Sequence, residues 1–220
     1  MRILFMASGN GGTMKFVHQA INVLSLDSEI VAVISDRMCG AVEYAQSNDI
    51  PTKVLIPWRE NTDNIISEIK NYSPDIVVTN IHKILPIEIF SCCNAHFINL
   101  HYSLLPAFGG VIGFKTLELA KQSNVQIIGA TCHYVTEELD GGKVIAQAAI
   151  PVDWNDDFSL IGNKVFRIAC ESILNAILII SETQPEVINS AKPSDVIYSP
   201  RLRYDNSQLT ESFWETISKL

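Results

Sequence analysis

Arg2-Ile3-Leu4-Phe5-Met6-Ala7-Ser8-Gly9-Asn10-Gly11-Gly12-Thr13 is the stretch whose reading decides the fold. Ile3–Met6 is a short continuous apolar run, as expected of a strand buried on both faces. Ser8 to Thr13 is a glycine-rich turn, and residues 13–24 have the spacing of an amphipathic helix. Three glycines in four positions exceed the needs of a tight turn. They let the backbone approach a ligand closely, and the free N–H groups of the helix start favour an anion. Gly9, Asn10, Gly11, Gly12 and Thr13 therefore read as a phosphate site, with a bare strand-to-helix turn as the simpler alternative.

Outward from this unit the same alternation repeats. Further strands are expected at Ile30–Ser35, Thr52–Ile56, Ile76–Thr79 and Phe97–Leu100, with helical windows at 40–48, 61–71 and 86–91. Strands alternating with helices predict an α/β fold: a Rossmann-like, mostly parallel central sheet with helices on both faces. After Leu100 the rhythm changes. A glycine-rich stretch leads to a short helix at Thr116–Gln122, then two β segments, Gln126–Val135 and Val144–Val152, form a hairpin-like extension. A long helix follows from Asp157 to Ser181. Residues 1–182 read as one domain. Residues 183–220, with Pro185, Pro193 and Pro200, read as an irregular tail packed on it that ends in a short helix at Thr210–Lys219.

Sixteen Lys and Arg against 24 Asp and Glu leave a net charge of -8. That balance argues against a nucleic-acid partner, which demands a concentrated positive patch. No apolar run approaches the ~18 residues of a membrane span, and the apolar run at the N-terminus is too short for a signal peptide. Five cysteines without framework spacing read as reduced thiols. The expectation is a cytoplasmic protein with small-molecule substrates, as a monomer or homodimer.

Phe97-Ile98-Asn99-Leu100-His101-Tyr102-Ser103-Leu104-Leu105-Pro106 is the richest segment chemically. Asn99 and His101, two apart, share one face of a strand at its C-terminal end, where open α/β sheets place ligands. An amide beside an imidazole pairs a fixed hydrogen-bond donor with a proton carrier, which suits attack of an amine on a carbonyl. Asp140, in the turn Glu138-Leu139-Asp140-Gly141-Gly142, could orient the ring, although a core histidine and a turn-forming aspartate are the plain alternatives. A dinucleotide site would use Asp36 as ribose acid, but Met14 stands where its third glycine belongs. Cys92, Cys93, His96 and His101 match no zinc spacing, so no metal is expected. His18 and His82 read as surface or packing residues.

Three segments together, Ser8–Gly11, Asn99–Pro106 and Gly129–Gly142, resemble the folate-dependent N-formyltransferase family, and within it the branch acting on glycinamide ribonucleotide in purine synthesis. The resemblance runs from Arg2 to about Glu171. It implies a catalytic set of Asn99, His101 and Asp140, with 10-formyltetrahydrofolate as co-substrate and no metal. It also implies acceptor phosphate on Gly9–Thr13 and folate against Lys83, Ile84, Leu85, Val135, Thr136, Glu137, Glu138 and Gly141. The acid contacting the substrate amine falls at Glu171. Departures at Gly12-Thr13, Tyr102, Asn80–Lys83 and Val111–Phe114 leave a second acceptor open, the amino sugar of a nucleotide-linked donor. Initiator tRNA is a poor fit for an acidic chain of this size. From other classes, a nicotinamide dehydrogenase and a non-catalytic folate-binding module remain.

Overall fold

The computed structural model describes residues 1–182 and 195–218, and they divide into two compact units. One is Met1–Ile98 with the C-terminal residues from Ser207 onward; the other is Asn99–Asn206. The division falls inside a strand at Ile98/Asn99, and the tail contributes to both units. Pro185, Pro193 and Lys219 lie outside the described residues.

The first unit runs β1 (Arg2–Ala7), α1 (Gly12–Val23), β2 (Glu29–Ser35), α2 (Gly40–Ser47), β3 (Thr52–Val54), α3 (Thr62–Tyr72), β4 (Ile76–Asn80), the one-turn α4 (Ile87–Phe90) and the start of β5 (His96–His101). Its strands lie in the order β3-β2-β1-β4-β5, all parallel. Ile3–Ala7, Ile30–Ile34 and Ile76–Val78 are buried along their length, which is why they read as unbroken apolar runs. The chain steps outward from β1 to β3, then returns across β1 to β4. The point of reversal lies between β1 and β4, and ligands of such sheets bind beyond the C-terminal strand ends there.

Residues Met14, Phe16, Val17 and Ala20 bury one face of α1. The tail helix α7 (Glu211–Ser218) packs on α1 within the same unit: the Trp214 ring stacks on Phe16 at 5.0 Å between centroids, and Phe213 meets it edge-on at 5.8 Å. Such aromatic pairs contribute about 0.5–1.5 kcal/mol beyond their burial.

The second unit begins within β5 and continues through α5 (Lys115–Gln122), β6 (Ile127–Tyr134), β7 (Val144–Pro151), α6 (Phe158–Ile180) and β8 (Ile197–Ser199). β6 and β7 form an antiparallel pair, as the hairpin-like extension anticipated, and β8 adds antiparallel to β7 with Ala148 opposite Tyr198. At three residues, β8 is too short to show alternation, and the reading above missed it. Leu117, Ala120, Ile128, Ala148, Ile150, Ile161, Val165 and Ile168 make the core of this unit. Helix α6 starts at an Asp157 cap whose Oδ1 accepts from Ser159 N at 2.7 Å. Among the described residues no helix is long and apolar enough to cross a membrane.

Candidate active site

The end of β5 and the turn after β6 bring His101 and Asp140 together in the second unit. His101 Nδ1 lies 3.3 Å from Asp140 Oδ2, and both side chains are over nine-tenths buried. His101 Nε2 lies 3.0 Å from the Phe108 carbonyl. A carbonyl only accepts, so Nε2 carries a hydrogen, and the ring satisfies both neighbours only with hydrogens on both nitrogens. Asn99 shares the strand face of His101 and is half-buried. Its side-chain amide has no hydrogen-bond partner among the described residues, so it remains available to a ligand.

Local chain geometry holds this pair rigid. Thr131 of β6 donates to the Ser103 carbonyl at 2.7 Å and accepts from Leu105 N at 3.0 Å, pinning the turn that leaves β5. Gln147 of β7 donates to the same hydroxyl at 3.0 Å. Asp140 sits in the left-handed region at φ 55°, which aspartate tolerates better than most residues. Its Oδ2 accepts from Gly110 N at 2.8 Å. A β-carbon on Gly142 would come 1.7 Å from the Tyr134 carbonyl, so only glycine lets the turn close over the end of β6.

His133 is a member of the cluster to which the sequence analysis assigned no role. It is 2% exposed; Nδ1 lies 2.9 Å from the Tyr134 carbonyl and Nε2 3.5 Å from Asp140 Oδ1. The second distance is long for a hydrogen bond, and Nε2 has no other partner among the described residues. Asp140 is therefore flanked by two buried imidazoles. The His133 ring, with the Gly110 N–H and His101, holds the Asp140 carboxyl below the usual carboxylate range, against the opposing effect of burial. The available signal was alternation: Thr131 and His133 are polar residues two apart on one face of a buried strand.

The first unit carries the glycine loop. Gly11 stands at φ 72° at the start of α1, and its β-carbon would meet Ala41 of α2 at 2.7 Å. A β-carbon on Gly9 would meet nothing within 4 Å, so that side of the loop is open. Ser8, Gly9 and Asn10 lead directly into the N-terminal N–H groups of α1, the arrangement that favours an anion. Met14 is buried beneath the loop with its Cε 3.3 Å from the position of a Gly11 β-carbon. It thus fills the space that the dinucleotide fingerprint keeps for its third glycine. Asp36 is also buried and paired with Arg37 and Lys83, with no open face for a ribose. Lys83 and Ile84 line a cavity of about 560 Å³ with Trp58, Arg59 and His82. Leu85 is half-buried beside them in sequence.

Val135 is half-buried in the second unit, whereas Thr136, Glu137, Glu138 and Gly141 form an exposed turn closed by Gly141 N donating to the Glu138 carbonyl at 3.1 Å. Glu171 has a different setting from the one expected for a substrate contact. It is 7% exposed on α6, and its carboxylate accepts from the Tyr198 hydroxyl and, at 3.5 Å, from Asn206. Tyr204 donates to its backbone carbonyl at 3.1 Å. Burial pushes its carboxyl above the ordinary range, which the hydrogen bonds from Tyr198 and Asn206 oppose. Tyr198, Tyr204 and Asn206 all come from the tail, so Glu171 helps hold that segment on α6. Among the described residues no group of His, Cys, Asp and Glu could hold a metal ion.

A family model described as formyl transferase matches residues 1–177. Phosphoribosylglycinamide formyltransferase of Escherichia coli (strain K12) is 34% identical over 72% of this chain and 78% of its own. The chloroplastic phosphoribosylglycinamide formyltransferase of Arabidopsis thaliana is 31% identical over 76% of this chain. The match spans only 60% of that plant protein's length. Formyltetrahydrofolate deformylase of Escherichia coli (strain K12) is 36% identical over 60% of this chain and 48% of its own. Among solved structures, phosphoribosylglycinamide formyltransferase from Coxiella burnetii superimposes with a TM-score of 0.75 at 27% identity, covering 86% of this chain and 91% of that one. The match over most of the chain, on the fold just described, places it in the formyl transferase family.

Proposed function

We propose that this protein transfers the formyl group of 10-formyltetrahydrofolate to the primary amine of glycinamide ribonucleotide. The observation that carries the chemistry is the buried His101–Asp140 pair at 3.3 Å, with Asn99 on the same strand face. The names and extent of the matched phosphoribosylglycinamide formyltransferases support the acceptor. In this reading the acceptor's phosphate lies on Gly9–Thr13, and the folate-contacting residues are Lys83, Ile84, Leu85, Val135–Glu138 and Gly141.

The amine nitrogen attacks the formyl carbon, forming a C–N bond and a tetrahedral oxyanion. Asn99 donates its side-chain N–H to that oxyanion, a preorganised interaction that strengthens as charge develops. The nitrogen that attacked then carries a proton it must lose, and N10 of the folate must gain one as its bond to carbon breaks. His101 Nε2 faces away from the carboxylate; it gives its hydrogen to N10 as the carbon–N10 bond breaks and then takes the proton of the attacking nitrogen, so the ring ends as it began. Asp140 keeps the ring in register through Nδ1 and balances its positive charge, a positioning task that needs a carboxylate ionised at neutral pH. The depressed Asp140 carboxyl meets that requirement. Glu171, tied to the tail, has no part in these steps.

A spectrophotometric assay with a 10-formyl folate and glycinamide ribonucleotide tests this, with formate measured in parallel. The expected result is acceptor-dependent turnover that is lost in His101→Ala. Release of formate at the same rate without acceptor would support hydrolysis instead, the reaction named for the matched deformylase.

A further inference from the structure

Ser8, Asp36, Arg37, His82 and Lys83 form a polar cluster of the first unit, at the C-terminal ends of β1, β2 and β4 beside the reversal in strand order. The Asp36 side chain is 2% exposed, yet it faces two cations whose own side chains are half open: Arg37 at 51% and Lys83 at 40%. Arg37 grips the carboxylate through Nη2 at 2.6 Å and Nε at 3.2 Å. Lys83 Nζ stands 3.5 Å from Oδ2. Ser8, the residue just before the glycine loop, joins Asp36 by a hydrogen bond and accepts from the His82 backbone N–H at 2.9 Å.

The charge count in this cluster does not cancel. One carboxylate meets two cations and leaves one positive charge, and among the described residues both cations keep donors to spare: Nη1 of Arg37 and two of the three Nζ hydrogens of Lys83. Asp36 itself is too enclosed by these partners to accept from a ligand hydroxyl. A buried carboxylate spent on holding half-open cations is a support, the kind of contact that fixes the direction of a binding group. Its link through Ser8 ties the cluster to the residue that directly precedes the glycine loop.

We propose that Arg37 and Lys83, positioned by Asp36, form a cationic wall for the Gly9–Thr13 loop and bind the dianionic phosphate monoester of the acceptor. This rests on the reading of the loop as a phosphate site and moves Lys83 from the folate to the acceptor side. Asp36 is a positioning residue, Arg37 and Lys83 are ligand contacts, and the specificity produced is for a doubly charged phosphate over a neutral sugar. Their charge supplements the partial positive charge of the α1 N-terminus.

Calorimetric titration of the whole chain with inorganic phosphate, at low and high salt, tests the wall without turnover. Arg37→Ala and Lys83→Ala each should weaken phosphate binding about fivefold to tenfold at low salt, with most of the difference gone near 0.5 M salt. Asp36→Asn is the discriminating variant. If the carboxylate merely neutralised the cations, its loss would tighten phosphate binding. If it positions them, binding weakens although the local charge rises, and the Michaelis constant for the phosphorylated acceptor increases with kcat nearly unchanged. Unaltered phosphate affinity in the Arg37→Ala/Lys83→Ala double variant would overturn the proposal, as would a rise in the Michaelis constant for the folate alone. A chain that binds phosphate through these residues yet formylates no glycinamide ribonucleotide would refute the acceptor and leave the wall intact.

Discussion

Asp140→Asn changes charge with almost no change of shape, which makes it the sharpest probe of the buried cluster. The amide keeps an oxygen to accept from Gly110 N, now at 2.8 Å, so the turn should close as before. What disappears is the negative charge 3.3 Å from His101 Nδ1. At that separation and an effective dielectric of ~20, the Coulomb energy of a charged pair is at most about 5 kcal/mol. The net value of a charge-assisted hydrogen bond, about 1.5–3 kcal/mol, is the better guide because desolvation of both groups offsets part of the attraction. If the transition state carries the positive imidazole, that loss falls on kcat and amounts to roughly tenfold to 150-fold. The amide can also present its N–H to Nδ1, which would oppose an N–H there and turn the ring, adding to the loss. The assay is steady-state formyl transfer with each substrate varied in turn, alongside a thermal melt. The expected outcome is a kcat reduced within that range, Michaelis constants within about threefold of the parent, and a melting temperature close to unchanged. A kcat within threefold of the parent in a folded Asp140→Asn protein would refute the role assigned to the carboxylate.

Other outcomes follow from the same geometry. Gly9→Ala adds a methyl where nothing lies within 4 Å, so the melt should be unaffected while the Michaelis constant for the phosphorylated acceptor rises severalfold. A constant that stays put would remove Gly9 from the phosphate site. Gly142→Ala must displace the Tyr134 carbonyl, 1.7 Å from the new carbon, and should cost upwards of about 2 kcal/mol in denaturant unfolding. Native stability in that variant would show that the turn closes differently. Glu171 has a folded-state carboxyl raised by burial, so it contributes most at acid pH, and that contribution is lost as pH rises through the raised value. Glu171→Gln should therefore flatten the decline in stability on the alkaline side of the ordinary glutamate range; an unchanged slope would mean the burial is without cost. Asp140, with its carboxyl depressed, stays ionised down to below the ordinary aspartate range, and its stabilising contacts are lost only as pH falls through that depressed value. His133→Asn removes the first of the contacts that hold that carboxyl down, so the acid limb of activity set by Asp140 should move to higher pH; an unmoved limb would show that His133 does not support the carboxylate.

Much of this protein is written locally. Continuous apolar runs within Ile3–Met6, Ile30–Ser35 and Ile76–Thr79 demand burial on both faces, and the helical windows between them point to a mostly parallel sheet. The pairing of Asn99 with His101 needs nothing beyond the two-residue period of a strand. The glycine loop announces itself by composition, and Met14 excludes the dinucleotide alternative from one position. Tertiary structure decided the rest, because it depends on which distant residues share a dielectric environment. That Asp140 reaches His101 across 39 positions of chain, with His133 on its other side, follows from the hairpin register and the left-handed turn, neither of which has a local signature. Asp36 stands in the sequence where a ribose acid would, a place Met14 already opposes, and in the fold it is buried against Arg37 and Lys83. Glu171 reads as a substrate contact and becomes an anchor for the tail. A carboxylate in sequence carries only its charge; its task is set by what the fold buries against it.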